Sequence, residues 1–395
     1  MKGEGRVSVY LDNCRTTPVA KEVVESMLPY FSKRFGHPYS IYSLGQEANE
    51  AVTSARESIA RSINADPEEI LFTSGGTESN DIAIRGIAYA NKAKGNHIIT
   101  TKIEHPSVLR ICEELEKEGF KVDYLDVDKE GFVDPDKLRD AITEKTILVS
   151  LMHVNNEIGT IEPVERVGEI LREQDRKIYY HVDAATSYTK VKVDVNKINA
   201  DLVSLSAHKI HGPKGVGSLF VRKRTHLSPI SYGYISMSRL RPGTENVPGI
   251  VGMAKAVDMA FEKFDFYVHH MMRLRDKLIQ GIESNIPDVL LNGPRGSKRS
   301  PENVNFSFKY IEGESIMLHL DLLGVSVSTA SACTSRKLEP SHVLTACGVP
   351  PEISHGSIRF CVSRYSTQKE IDYVLEVLPT VIMKLREISP VKSGW

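Results

Sequence analysis

The feature that most constrains this sequence is an alternation of short β-rich runs with amphipathic stretches of helical length, from Ile70 to Val221. Helical periodicity lies between many of the runs, for example from Glu78 to Asn91 and from Val164 to Gln174. This alternation is typical of an α/β domain built on a mostly parallel sheet, here of seven strands. The predicted strands are Ile70–Thr73, His97–Thr101, Val122–Leu125, Thr146–Met152, Ile178–Asp183, Leu202–Ser206 and Gly217–Val221.

The pattern changes after Pro248. A long helical stretch of roughly Ile250–Ile286 leads to a Pro/Gly-rich break and then to predicted strands near Val304–Phe308 and Ser357–Cys361. We therefore predict a second, smaller α+β domain. A chain of 395 residues is long enough for two hydrophobic cores. The expected limits are residues 16–260 for the large domain, with 1–15 and 261–395 forming the small one.

The composition argues against several classes of partner. A formal net charge of -1 with 26% charged residues gives no broad attraction to nucleic acid or to an anionic membrane, so a small ligand is expected. Met1–Tyr10 has no apolar segment of signal-peptide length, and no stretch approaches the roughly 20 apolar residues that a membrane span needs. We therefore expect a cytoplasmic protein.

The cysteines form neither a recognisable disulfide framework nor a metal site. Their number is odd and no CxxC pair occurs, so we predict no disulfide framework and no zinc or other metal site. Most of them are expected to be buried thiols. The five are Cys14, Cys112, Cys333, Cys347 and Cys361.

Reactive side chains follow the predicted strands, where an open α/β sheet binds its ligands. Gly76 and Thr77 open a helix whose positive end suits a phosphate, although an ordinary Gly-rich turn with a Thr cap fits equally well. His105 could lie on an aromatic cofactor or move a proton, or could simply begin a helix. Asn156 offers an amide donor for a phenolate oxygen, or is a loop amide.

Two further strand ends carry the strongest signals. Asp183 closes an apolar strand, where a protonated pyridine nitrogen would balance its charge, and a surface helix cap is the alternative. Lys209 follows another apolar strand and is flanked by Ser206 and His208, which can hold a phosphate. Desolvation at such a position lowers the pKa of a lysine and suits it to covalent binding of an aldehyde cofactor.

Three residues further along the chain complete the candidate set. Thr244 lies in a basic, hydroxyl-bearing turn, and Cys333 lies in a small polar segment where a thiolate could act as a nucleophile. Arg359, on an apolar strand, suits bidentate capture of a carboxylate. Taken singly, Cys333 could be a loop thiol and Arg359 an ion-paired arginine.

In this order the motifs resemble the cysteine desulfurases of the NifS/IscS type, in the class V aminotransferase family and fold type I of the enzymes that use pyridoxal phosphate (PLP). The resemblance runs from about Tyr10 to Pro390, and it includes Ser-Ala-Cys-Thr-Ser around Cys333 and the following Leu-Glu-Pro-Ser-His. It implies a PLP-dependent transferase fold with a large α/β domain and a smaller α+β domain. The implied reaction removes sulfur from L-cysteine, giving L-alanine and a persulfide on Cys333.

The resemblance also implies roles for individual residues. Lys209 would bind PLP and take the substrate α-proton, Asp183 would pair with the pyridine nitrogen, and His105 would stack on the ring. The phosphate would be held by Gly76, Thr77, Ser206 and His208, and by Thr244 from a second subunit of a homodimer. Asn156 and Arg359 would hold the substrate carboxylate, with Asn156 also near the cofactor oxygen. Cys333 would pass its sulfur to an acceptor, such as an iron–sulfur scaffold protein.

Several positions depart from the family pattern around the cofactor. Arg15 stands where alanine is usual, Asp81 replaces an asparagine, and Thr186 replaces the glutamine expected to donate to the cofactor phenolate. The segment at 232–237 also differs. Two alternatives follow: a PLP-dependent lyase or transferase acting on another amino acid, or a sulfur carrier or interaction partner with little turnover of its own.

Overall fold

The computed structural model describes residues 8–233, 238–329 and 340–390. Its strands are β1 Val9–Tyr10, β2 Ile70–Thr73, β3 His97–Thr101, β4 Lys121–Leu125, β5 Thr146–Met152, β6 Tyr179–Asp183, β7 Leu202–Ser206, β8 Gly217–Val221, β9 Val289–Leu291, β10 Asn303–Phe308, β11 Val325–Ser326, β12 Ser328–Thr329 and β13 Ser357–Cys361. Its helices are α1 Lys21–Met27, α2 Pro29–Ser32, α3 Ser43–Ser62, α4 Gly76–Asn91, α5 Pro106–Lys117, α6 Pro135–Ala141, α7 Val164–Arg172, α8 Val195–Ile198, α9 Val247–Glu262, α10 Phe264–Asn285, α11 Gly313–Leu322, α12 His342–Ala346, α13 Pro351–Ser354 and α14 Gln368–Ile388.

The larger sheet confirms the predicted α/β class. Within the described residues it has seven strands in the order β2-β8-β7-β6-β5-β3-β4. Strands β3 to β7 run parallel, and β8 is antiparallel to both of its neighbours. The predicted strands agree with the observed ones to within one residue, because runs such as Ile98 to Thr101 are β-branched and therefore favour extended backbone.

Helices cover both faces of this sheet. Successive side chains of a strand point to opposite faces, so Ile98 belongs to the core that includes α4 and α5, while Ile99 belongs to the core that includes α3, α7 and α9. The result is a three-layer arrangement in which the carboxyl ends of the parallel strands meet at one edge. Turns from several strands therefore come together there.

A second core forms around a smaller antiparallel sheet with the order β12-β13-β10-β9. Phe306 and Phe360 of this sheet pack with Leu278 of α10 and Leu378 of α14. Strand β1 pairs with β11, so the beginning of the described chain joins this second unit. The predicted domain limits stay a proposal.

The helical stretch predicted over Ile250–Ile286 is two helices rather than one. Lys263, with φ -135° and ψ 41°, leaves the helical region between α9 and α10, so the hydrogen-bonded ladder stops there and restarts. Periodicity continues through the break and therefore did not reveal it. No helix in the described ranges combines the length and the apolar character needed to cross a bilayer.

The expectation for the cysteines was wrong for two of the five. Cys14 and Cys361 form a disulfide, with Cα atoms 5.6 Å apart and 347 residues between them in sequence. The backbone N–H of Cys361 donates to the carbonyl of Leu11 at 2.6 Å, and this contact brings the end of β13 beside the segment that carries Cys14. Cys112 and Cys347 are buried free thiols, as expected. Cys333 lies outside the described residues.

Candidate active site

A cavity of about 240 Å³ lies where the carboxyl ends of β5, β6 and β7 meet the start of α4. It is lined by ten of the twelve predicted site residues, namely Gly76, Thr77, His105, Asn156, Asp183, Thr186, Ser206, His208, Lys209 and Arg359. Thr244 is exposed and does not line this cavity. Cys333 belongs to the part of the chain that the structure does not describe.

One end of the cavity suits a phosphate. Gly76, at the start of α4, lines the cavity, so the backbone N–H groups of this helix end lie beside it. A Cβ added at residue 76 would lie 3.2 Å from the Cβ of Ala185. Ser206 Oγ is buried and has no hydrogen-bond partner within the described residues. A helix N-terminus together with an unsatisfied hydroxyl is a donor set that fits a phosphate group.

The carboxylate of Asp183 is held in a fixed orientation at the end of β6. Asn80 Nδ2 donates to Oδ2 at 2.8 Å, and the backbone N–H of Ala185 donates to Oδ1 at 2.9 Å. Asp183 lines the cavity, so a cationic ring nitrogen would find an oriented acceptor there. Asn80 was not a predicted site residue, because it lies among the polar residues of the first turns of α4, between Ser79 and Asp81.

His105 and His208 both face the cavity as neutral imidazoles. Burial lowers the pKa of His105 to about 4, and the charge of Lys209 contributes in the same direction. The same two causes lower the pKa of His208 to about 4. His105 Nδ1 accepts a hydrogen bond from the Ser107 backbone at 3.1 Å, which orients the ring. A neutral ring in this position can stack on a flat aromatic ligand.

Lys209 occupies the short turn that follows β7. Its Nζ donates to Thr186 Oγ1 at 3.3 Å, and Thr186 itself lines the cavity. Behind it, the buried Lys190 Nζ donates to the carbonyls of Thr186 at 2.9 Å and Lys209 at 3.2 Å. Burial lowers the pKa of Lys190. Lys190 thus ties together two backbone segments that line the cavity, a role that its sequence neighbours did not indicate.

Arg359 reaches the cavity from β13 of the smaller sheet. Its Nη2 pairs with Asp12 Oδ1 at 3.0 Å and its Nη1 donates to the Asn156 carbonyl at 2.9 Å. Its Nε is buried and has no partner within the described residues. Arg359 is therefore both an ion-paired arginine and a cavity residue, and the two sequence interpretations are compatible. Cys14 and the exposed Arg15 line the same cavity.

Two buried glutamates hold the segment that begins at Pro340. Ser341 Oγ donates to Glu157, and His342 Nε2 lies 2.9 Å from the Glu104 carbonyl oxygen. Burial raises the pKa of Glu104 to about 8 and raises that of Glu157. These contacts fix the chain immediately after residue 339 beside the cavity. None of the four residues was a predicted site residue.

The comparisons with known proteins agree on one family. The sequence profile of the aminotransferase class-V family matches residues 9–374. A cysteine desulfurase IscS from Dictyoglomus turgidum is 53% identical over 387 residues, covering 98% of each chain. A solved NifS-like protein superposes with a TM-score of 0.90 at 37% identity, covering 96% of this chain and all of that one. A structure described as SspA in complex with cysteine gives a TM-score of 0.80 at 34% identity, over 91% of this chain and 100% of that one.

Proposed function

This chain belongs to the cysteine desulfurases of the aminotransferase class-V family, and we propose that it removes sulfur from L-cysteine, giving L-alanine and a persulfide on Cys333. One observation carries the proposal. Lys209, Asp183 and His105 come from separate turns and meet Arg359 of the second sheet around a single cavity. This combination provides a proton-transfer lysine, an oriented carboxylate, a neutral stacking ring and a carboxylate-binding cation in one place.

The cavity residues would hold PLP. Gly76, Thr77, Ser206 and His208 would bind its phosphate, and Asp183 would bind the pyridine nitrogen. When bound, this cofactor supplies an electron sink for charge that develops at the substrate α-carbon. Thr186 stands in place of the family's glutamine near the cofactor oxygen, where its hydroxyl and the amide of Asn156 would be the donors.

The protein's own groups would then perform the remaining steps. Arg359 and Asn156 would bind the substrate carboxylate, and Lys209 would take the proton from the substrate α-carbon and return it. His105, neutral because of its lowered pKa, would keep the ring in place without adding a positive charge. Cys333 would attack the substrate sulfur as a thiolate.

The test measures alanine and sulfur from L-cysteine with PLP-loaded enzyme. We expect Lys209→Ala to lower alanine formation by roughly 10²–10⁴-fold, the usual contribution of a positioned proton-transfer group. Cys333→Ala should abolish persulfide formation, while Cys112→Ser, a buried thiol that does not line the cavity, should behave as wild type. Equal rates of sulfur release from wild type and Cys333→Ala would rule out the proposed role of Cys333.

A second candidate activity rests on Arg15. This exposed cation lines the cavity at a position where the family pattern has alanine. It would favour an amino acid with a second anionic group, acted on by a PLP-dependent lyase or transferase. Turnover of L-aspartate that falls in Arg15→Ala and does not need Cys333 would support this candidate. A lack of turnover of any such substrate would favour the desulfurase.

We also propose a homodimer. The segment at 28–42 exposes large apolar side chains, including Phe31, Phe35 and Ile41. Thr244 is exposed as well, and it lies on a turn whose Arg241 pairs with Glu78 at 3.3 Å. A second copy would bury the apolar segment and bring its Thr244 to the phosphate end of the cavity. Light scattering should give twice the chain mass, and Phe31→Glu should shift it towards the monomer. A monomeric wild type would contradict the proposal.

The destination of the sulfur completes the proposed function. We propose an acceptor protein, for example an iron–sulfur scaffold, and a cytoplasmic location. Transfer of labelled sulfur from the Cys333 persulfide to a purified scaffold protein tests the first point. Cell fractionation tests the second.

A further inference from the structure

We propose that Cys14 and Cys361 form a second sulfur-handling site beside the substrate cavity. In its dithiol form the pair would take the terminal sulfur of a persulfide, release it as sulfide and become the disulfide seen in the structure. This inference rests on the proposed function, because desulfurase turnover is the source of the persulfide.

The two cysteines, both buried, differ in their position relative to the cavity. Cys14 lines the cavity together with Lys209, Asn156 and Arg359, whereas Cys361 is fully buried behind it at the end of β13. Cys14 is therefore placed to meet a sulfur donor that enters the cavity. Cys361 is placed to attack Cys14 and not the donor.

Hydrogen bonds also hold together the two segments that carry the pair, one from a backbone N–H and one from a side-chain amide. The Cys361 N–H donates to the Leu11 carbonyl at 2.6 Å, and Asn13 Nδ2 donates to the Cys361 carbonyl at 2.8 Å. These contacts do not depend on the oxidation state of sulfur. The reduced thiols would consequently stay opposite each other, ready to form the bond again.

The other described thiols are unsuited to this chemistry. Burial raises the pKa of Cys112 and of Cys347 to about 12, and nearby carboxylates add to the shift. Neither lines the cavity. Cys14, by contrast, lines the cavity, together with Arg15 and Arg359.

The proposed location also favours a redox role. Disulfides in cytoplasmic proteins are rare, and those that occur are usually transient and catalytic or redox-sensing. In an enzyme that makes persulfides, an oxidant for a dithiol is formed close to this cavity. The persulfide itself supplies the oxidising equivalents.

The chemistry balances without a further oxidant. The Cys14 thiolate attacks the terminal sulfur of the persulfide, the donor sulfur–sulfur bond breaks, and the donor cysteine leaves as a thiolate. Cys361 then attacks Cys14 Sγ, a disulfide forms, and hydrosulfide leaves. The terminal sulfur gains two electrons, and Cys14 and Cys361 lose one each. A dithiol reductant would restore the pair by thiol–disulfide exchange.

The first experiment follows one turnover without added thiol. Enzyme loaded with PLP is fully reduced, freed of reductant under anaerobic conditions and given one equivalent of L-cysteine. We expect one alanine and up to one sulfide per chain, with Cys14 and Cys361 recovered as a disulfide by peptide mapping. Cys361→Ser should still form alanine but release sulfide at least tenfold more slowly, keeping the sulfur as a persulfide. Cys112→Ser should match wild type.

A second experiment separates the inference from desulfurase activity. Reduced Cys333→Ala protein receives glutathione persulfide, which replaces the enzyme's own persulfide. We expect this protein to release sulfide and to form the Cys14–Cys361 disulfide. Both results should be lost in the double variant that also carries Cys361→Ser. This outcome supports the site even if the enzyme makes no alanine. A pair that stays reduced with glutathione persulfide would overturn the inference. A Cys14–Cys361 disulfide that no dithiol reductant opens in the folded protein would also overturn it, because that bond would be purely structural.

Discussion

At the scale of single residues, the orientation of Asp183 depends on a neighbour that does not itself react. Asn80 Nδ2 donates to Asp183 Oδ2 at 2.8 Å and lies at 2.9 Å from Ser107 Oγ. A hydrogen bond to a charged group contributes about 1.5–3 kcal/mol. Asn80 lines the same cavity, and its hydrogen bond to Asp183 makes it a positioning residue for that carboxylate.

We therefore expect Asn80→Ala to weaken PLP binding by roughly ten- to a hundredfold, the equivalent of that one hydrogen bond. It should also shift the visible absorbance of the bound cofactor, because Asp183, the proposed partner of the pyridine nitrogen, loses its orientation. A matched control is Asn91→Ala, since Asn91 is buried on the same helix but donates to the Ile87 carbonyl away from the cavity. Equal effects of the two variants would show that Asn80 is only structural.

At the scale of elements, helix α12 anchors the chain that follows the segment containing Cys333. Ser341 is its N-cap, accepting from the Leu344 N–H at 3.2 Å, and the same hydroxyl donates to buried Glu157. Glu157 directly follows Asn156, which lines the cavity. One hydroxyl therefore joins the start of this helix to a wall of the candidate active site.

Ser341→Ala removes both contacts, at a cost of about 1–2 kcal/mol for the cap and the hydrogen bond. We expect the rate of persulfide formation on Cys333 to fall about tenfold, because Ser341 would no longer hold the start of α12 at the cavity. The absorbance of bound PLP should not change. Ser341→Thr keeps the hydroxyl and should restore most of the rate. If alanine and threonine variants form persulfide equally fast, the anchor has no part in the reaction.

At the scale of the whole molecule, buried carboxyl groups make stability depend on pH. Burial raises the pKa of Glu104 from 4.5 to about 8, although Thr101 and the Met152 N–H donate to it. The folded state keeps this proton at pH values where the unfolded state loses it. The resulting contribution is complete below about pH 4.5 and is lost as pH rises through 8.

The variant Glu104→Gln removes this titration while keeping an oxygen that can accept both hydrogen bonds. Relative to wild type, we expect its free energy of unfolding to increase by roughly 2–3 kcal/mol between pH 5.5 and 7.5, at about 1.4 kcal/mol per pH unit. Denaturant unfolding at the two pH values measures the difference. The exposed Glu144→Gln is the control, for which no pH-dependent difference is expected. A Glu104→Gln difference that does not change with pH would contradict the assignment.

The strands and the residues at their ends could be predicted from the sequence because both depend on local pattern. Short β-rich runs predicted the seven strands, and parallel strands place their carboxyl ends at one edge, so His105, Asp183 and Lys209 were expected to meet. The structure brings all three to one cavity. The break at Lys263 was missed because helical periodicity continues on both sides of it.

Only the tertiary structure decided which distant residues touch. Asn80 and Asp183 are 103 positions apart, Asp12 and Arg359 are 347 apart, and so are Cys14 and Cys361. Residue spacing carries no information about such pairs. The pairs of Asp12 and Cys14 form where the chain after β1 passes beside the end of β13, and the pair of Asn80 forms where α4 packs beside β6. Residue chemistry and local pattern thus determined the reactive groups, whereas chain topology decided their partners, since packing of remote segments sets those distances.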